Sequence, residues 1–253
     1  MRQEILLTDK RAVITGGGTG IGFGIAEQFV DCGAKVLLLG RREDVLSQAV
    51  QKLGEKASYK VADLTDYTSL PALVKEIEEE APVDILVNNA GINLKGEFVS
   101  YEEEDFDKVI GVQEKAVFFL TREVVKYMMP RKKGNIINIS SLSARLGMPK
   151  NQAYTMCKGG IVALTRSLMV ELAPYNIRVN SVNPGYIYTD MIKKINVNTP
   201  ERLVVMQEAT PLKRFGTIQD IGMAAAFLAS DAASFITGVD LYVDGGHGYA
   251  SQI

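Results

Sequence analysis

Apolar positions along the chain follow two periods. Short β-branched or leucine-rich runs at 12–15 (AVIT), 35–39 (KVLLL), 58–61 (SYKV), 84–88 (DILVN), 135–140 (NIINIS), 177–182 (IRVNSV) and 240–244 (DLYVD) read as strands. Longer stretches near 21–32, 43–53, 68–80, 103–128, 153–173 and 218–229 carry the helical period. Strands alternating with helices, each bounded by glycine or polar residues, build βαβ units. The pattern therefore predicts an α/β Rossmann fold, a doubly wound sheet of seven parallel strands with helices on both faces. No repeat, low-complexity segment or linker interrupts it, so residues 1–253 are expected to form one domain.

Composition narrows the function. With 253 residues, 47% hydrophobic, and a net charge of −2, the chain can bury a large core and offers no basic surface for nucleic acid. No run approaches the roughly 18 uncharged apolar residues of a membrane span. The start, MRQEILLTDKR, is too polar for a signal peptide. A cytoplasmic protein with no membrane partner is expected. Cys32 and Cys157 form no CxxC pair, so neither a metal site nor a disulfide framework is expected. The single histidine, His247, reads as a tail residue, which argues against a Ser-His or Cys-His nucleophile. Neither GxSxG nor a P-loop occurs, which removes most support for a hydrolase or a kinase.

The first strand runs into TGGGTGIGFG, placing Gly16, Gly20 and Gly22 in a strand-to-helix turn. Such a turn lets backbone approach a pyrophosphate, whose charge meets unpaired N–H groups at the helix start. In this fold an acidic residue about 20 positions on receives the ribose 2′-hydroxyl of NAD, whereas an arginine accommodates the NADP 2′-phosphate. Here the second strand ends GRRED, with Gly40 where the acid is sought and Arg41 and Arg42 following. NADP(H) is favoured and NAD(H) remains open. Thr19 adds no second basic group from the glycine turn.

The order of motifs closely resembles the short-chain dehydrogenase/reductase family, including members named gluconate 5-dehydrogenases and 3-oxoacyl-acyl-carrier-protein reductases. The motifs are TGGGTGIG (15–22), Asp63 after the third strand, NNAG (88–91), a serine thirteen residues before Tyr154, YTMCK (154–158), NPG (183–185) followed by Thr189, and TGVDLYVDGG. The resemblance implies cofactor contacts from Gly16, Thr19, Gly20, Ile21 and Gly22, and from Asp63 and Leu64 near the adenine. It further implies Asn89, Ala90 and Gly91 along the ribose, cofactor contacts from Pro184 and Gly185, and Ile187 and Thr189 at the nicotinamide carboxamide.

It also implies an active site of Ser141, Tyr154 and Lys158. Alcohol oxidation by a nicotinamide moves a hydride to the cofactor, so the protein must move the proton. A phenol is too weakly acidic for this at neutral pH unless a neighbouring cation favours its phenolate. Four residues apart on a helix, Lys158 can supply that cation to Tyr154, and both also border the cofactor in the resemblance. Ser141 is expected to hydrogen-bond the substrate oxygen, with Ser140 and Ser143 as neighbours. Where many family members have asparagine in the fourth helix, this chain reads GVQEKAVFF, which puts Gln113 in a proton-relay position with an amide one methylene longer.

Substrate choice is expected in the loops 92–101, 142–152 and 186–215, the last forming a cap with Tyr186, Tyr188, Met191, Ile192, Ile195, Val204, Val205 and Met206. Lys193, Lys194, Arg145 and Lys150 are candidate receptors for a carboxylate. The expected activity is interconversion of a secondary alcohol and a ketone on a small molecule: a sugar acid or polyol, a 3-oxoacyl thioester or a hydroxysteroid. The competing reading is a non-catalytic NADP(H)-sensing regulator. The resemblance implies a homotetramer, and AVFFLTREVVKYMM and GGIVALTRSLMVEL carry more apolar positions than one buried stripe needs.

Overall fold

A computed structural model describes residues 6–189, 192 and 200–249. Seven parallel strands, β1 (Arg11–Thr15), β2 (Lys35–Gly40), β3 (Ala57–Val61), β4 (Ile85–Asn88), β5 (Gly134–Ile139), β6 (Ile177–Pro184) and β7 (Asp240–Val243), lie in the order β3-β2-β1-β4-β5-β6-β7. The order reverses between β1 and β4, which opens a crevice at their carboxyl ends. Each strand falls within two residues of its predicted span.

Helices α1 (Gly20–Asp31), α2 (Glu43–Leu53), α3 (Leu70–Glu80), α4 (Glu103–Ile110), α5 (Ala116–Arg131), α6 (Gln152–Leu172) and α8 (Ile218–Ala229) alternate with the strands, and α7 (Pro200–Glu208) follows β6. Strand periodicity divides the core between its two faces. Ile14, Val36, Leu38 and Ile137 pack on one face with Phe29 of α1 and Ile221 of α8. Val13, Leu37, Leu39 and Ile136 pack on the other with Val74 of α3 and Leu120 of α5. Truncating such a buried leucine to alanine costs about 2 to 5 kcal/mol. Among the described residues no helix is long and apolar enough to cross a membrane.

Two elements depart from the pattern. The helix expected over 103–128 is interrupted by a π turn, Gly111–Lys115, between α4 and α5. Its sequence GVQEK keeps ordinary helical periodicity, so only tertiary contacts reveal the extra residue. One such contact is from the Tyr67 hydroxyl, which donates to the Gly111 carbonyl at 3.1 Å. Helix α7 lies inside the expected cap, where PERLVVMQE leaves Val204 and Val205 exposed rather than on a core stripe.

Candidate active site

Thr15 ends β1 and ties the glycine turn to the turn after β4. Its Oγ accepts the N–H groups of Asn89 and Ala90, each at 2.9 Å, and donates to the Val87 carbonyl at 3.3 Å. The Asn89 side chain donates in turn to the carbonyls of Thr15 (2.9 Å) and Gly16 (3.3 Å). Thr15 was not among the expected site residues. Its only sequence signal is a hydroxyl at the end of an otherwise apolar strand.

The two turns meet so closely that a Cβ on Gly22 would lie 2.4 Å from both Asn89 Nδ2 and the Gly16 carbonyl oxygen. Gly16 itself has φ of +66°, a conformation that suits glycine. No side chain caps the first turn of α1, which leaves its N–H groups available to a ligand. These turns border a cleft of about 500 Å³ over the ends of β1 to β4. Gly16, Thr19, Gly20, Ile21, Gly22, Arg41, Arg42, Asp63, Leu64, Asn89, Ala90, Gly91 and Thr189 all line it. An elongated dinucleotide fits this cradle: backbone is bare where a pyrophosphate would lie, and cations stand at the β2 end.

Arg41 and Arg42 are exposed there. Asp63 accepts the Thr65 N–H at 3.0 Å and its hydroxyl at 2.7 Å. Those bonds, with the charge of Arg41, hold its carboxyl below the usual range. A Cβ on Gly40 would touch only Leu46, at an ordinary 3.5 Å, so glycine there is not forced by packing.

The proton-handling candidates cluster beyond the β5 end. On α6, Tyr154 and Lys158 share one face, and Lys158 Nζ lies 5.4 Å from the Tyr154 ring centroid. Lys158 is buried and donates to the Ile139 carbonyl at 2.9 Å. Burial lowers its ammonium pKa to about 8. Burial raises the Tyr154 phenol above its ordinary value, and the Ser141 hydroxyl, which favours the phenolate, offsets this only in part. The neighbouring serines do other work. Ser140 Oγ donates to the Lys158 carbonyl at 2.8 Å, and Ser143 faces the Met148 sulfur at 3.5 Å.

Gln113 lies in the π turn and is buried, donating from Nε2 to the Ile92 carbonyl at 2.7 Å. Its Oε1 has no protein partner. Gly91 admits it: a Cβ there would stand 2.8 Å from that oxygen.

Beneath the cluster, Asn88 donates to Thr121 (2.9 Å) and Asn138 (2.8 Å), and Asn138 donates to Thr165 of α6 (2.9 Å). All four are buried. This chain of bonds fixes α6 against the sheet.

Pro184, Gly185 and Ile187 flank the cleft rather than line it. Gly185 packs on Asp244, and buried Ile187 pairs with Gly216. Thr189 points its methyl group toward Gly20. The tail reading of His247 requires correction. Asp244 accepts the N–H groups of Gly246 (2.9 Å) and Gly248 (2.7 Å), which folds the segment back and buries His247 against Tyr186, ring centroids 5.1 Å apart. Tyr249 then receives Arg145, whose guanidinium carbon stands 3.8 Å from the ring centroid. Of the cap residues expected to choose substrate, Met191, Lys193, Lys194 and Ile195 lie outside the described residues.

A doubly wound parallel sheet with a glycine turn at its reversal point defines a dinucleotide-binding protein. Residues 16–248 match the sequence model of a family described as enoyl-(acyl carrier protein) reductase, and the chain belongs to this short-chain dehydrogenase/reductase family. It is 40% identical over 248 residues to a 3α-hydroxysteroid dehydrogenase of Mediterraneibacter gnavus, covering 95% of this chain and 98% of the relative. A solved structure from Agrobacterium tumefaciens, provisionally named a gluconate dehydrogenase, superposes with a TM-score of 0.93 at 35% identity, over 98% of this chain and 99% of the other. A second from that organism, provisionally named a 2-deoxy-D-gluconate 3-dehydrogenase and containing NADP, gives a TM-score of 0.88 at 34% identity, over 97% and 99%.

Proposed function

We propose that Tyr154 is the general acid/base, Ser141 the substrate-polarising hydrogen-bond donor and Lys158 the cation that binds cofactor and supports Tyr154. The protein is an NAD(P)(H)-dependent oxidoreductase that interconverts a secondary alcohol and a ketone. The observation that carries this reading is the shared face of α6 on which buried Lys158 stands 5.4 Å from the Tyr154 ring centroid, with the Ser141 hydroxyl acting on the same phenol, beside a dinucleotide-shaped cleft. When bound, the nicotinamide supplies or accepts the hydride. The side chains then have one task each. Ser141 orients the oxygen of the substrate, and Tyr154 gives or takes the proton on that oxygen.

Burial raises the Tyr154 phenol, so the isolated side chain favours the acid form suited to ketone reduction. Lys158 and cofactor charge oppose that preference in the alcohol-oxidising direction. NADP(H) is the favoured cofactor because Arg41 and Arg42 follow β2 where a 2′-phosphate is met in this fold and Gly40 offers no carboxylate; NAD(H) is the alternative. The residues 186–215 cap the substrate. Gln113, held by the Ile92 carbonyl, supports the proton path.

The protein works in the cytoplasm as a homotetramer, with α5 and α6 pairing across one interface. Exposed Phe118, Met156 and Val170 on those helices support that assembly, since each leaves a large apolar side chain in water. Fluorescence titration with NADPH and NADH, followed by turnover on keto acids, 3-oxoacyl thioesters and oxosteroids, tests the reading. Loss of turnover in Tyr154→Phe with NADPH binding retained is expected; full turnover in that variant would remove the acid/base role.

A further inference from the structure

Lys158 is held to the sheet at two points. Its ammonium donates to the Ile139 carbonyl at 2.9 Å, and its own main-chain carbonyl accepts the Ser140 hydroxyl at 2.8 Å. Ile139 ends β5, Ser140 follows it, and Ser141 comes next. Two consecutive residues at the strand end therefore grip one lysine, immediately before the serine that faces the phenol.

Ser140 is itself fixed. It is buried, and its N–H donates to the Val182 carbonyl of β6 at 2.8 Å. Its hydroxyl thus projects from a backbone anchored in the sheet and meets α6 one turn beyond Tyr154. A helical carbonyl that accepts an N–H from the following turn keeps a second lone pair for such a donor.

Burying an ammonium is unfavourable, and here it brings the Lys158 pKa down to about 8. The long, flexible stem of a lysine lets its head move toward water whenever the main chain gives way. A bond to the main chain of the same residue opposes that movement. The other bond from β5 to α6 lies away from the chemistry: Asn138 donates to Thr165 Oγ at 2.9 Å, seven residues along the helix from Lys158.

Resting on the acid/base reading above, we propose that Ser140 is a positioning residue whose hydroxyl locks the Lys158 main chain to the end of β5 and so keeps the ammonium beside the Tyr154 ring.

The test compares Ser140→Ala with Thr165→Val, which removes a buried hydroxyl from the same helix at a distance from the cluster. Lysine isotope-labelled at Cε is incorporated, the Lys158 resonance is assigned by its loss in Lys158→Met, and its titration is followed by NMR without nucleotide. In Ser140→Ala the Lys158 pKa is expected to rise from about 8 toward 10.5 as water reaches the ammonium. Thr165→Val should titrate as the parent does. On an alcohol or ketone that the parent turns over, kcat of Ser140→Ala should fall about tenfold with KM little changed, as for a displaced catalytic group. Thr165→Val should keep the parent kcat. Ser140→Cys, a weaker donor of similar size, should fall between parent and Ser140→Ala in both readouts, and it carries the comparison if the alanine variant does not fold.

An unchanged Lys158 titration in Ser140→Ala, or the same change in Thr165→Val, would overturn the proposal and leave Ser140 an ordinary buried hydrogen bond. A moved titration with the parent kcat would overturn it as well, provided Tyr154→Phe has lost turnover. Failure of the underlying reaction looks different: the Lys158 titration would move in Ser140→Ala as expected, while Tyr154→Phe kept full turnover.

Discussion

Lys158 reaches past Tyr154 to the carbonyl of Ile139, leaving its ammonium 5.4 Å from the tyrosine ring centroid. The helix spacing therefore brings the pair together without an ion-to-hydroxyl bond, and burial dominates both titrations.

That burial has a measurable consequence for stability. A lysine whose folded pKa falls from 10.5 to about 8 binds fewer protons folded than unfolded between those values, so stability rises as pH climbs through that window. Below about 8 both states are protonated and the full penalty stands. The shift corresponds to about 3 kcal/mol. Denaturant titrations of the parent and Lys158→Met should therefore converge or cross in the parent's favour between pH 8 and 10.5. Parallel curves would show that Lys158 is not desolvated in solution.

Cofactor choice is predicted to turn on one position. Gly40→Asp fits sterically and places a carboxylate beside any 2′-phosphate. NADPH affinity should drop at least about tenfold while NADH binding holds or improves, since the added carboxylate repels the phosphate and can accept a ribose hydroxyl. Arg41→Ala should weaken NADPH alone, and equal losses for the two nucleotides would refute the phosphate assignment.

Gln113→Asn removes the methylene that lets Nε2 reach the Ile92 carbonyl. A loss of about 1 kcal/mol of stability is expected from that bond. If the amide supports the proton path, the pH profile of kcat also moves. An unchanged profile with the same stability loss would leave Gln113 a packing residue.

Asp220 closes a capping box with Thr217 at the start of α8 and accepts Arg214 at 2.8 Å, which lowers its carboxyl to about 2. A depressed acid stabilises above its unfolded value and loses that contribution as pH falls toward 2. At pH 7, Asp220→Asn should cost about 1 kcal/mol, discounted because the pair is partly exposed to solvent. The gap to the parent should shrink in acid.

Much of this protein was legible in its sequence because strand and helix periods do not overlap. Runs such as KVLLL alternate Val36 and Leu38 to one face with Leu37 and Leu39 to the other, and the structure follows that division. The glycine turn was legible for a steric reason that only Gly22 against Asn89 makes quantitative. What escaped depended on contacts between distant segments. The π turn at Gln113, the Thr15 tie between two turns, and the burial of His247 all rest on partners 40 to 75 residues away, or on a fold-back whose signal is a single aspartate.

The fold-back at Asp244 also orders events during synthesis. Most residues that cradle the dinucleotide lie between Gly16 and Gly91 and leave the ribosome early, with Thr189 following, whereas the stack on Arg145 waits for Tyr249. A nascent chain halted before residue 244 would carry the nucleotide cradle and Ser141, Tyr154 and Lys158 but lack the brace behind the loop that follows Ser141. Premature termination would thus leave Arg145 without the ring on which it stacks.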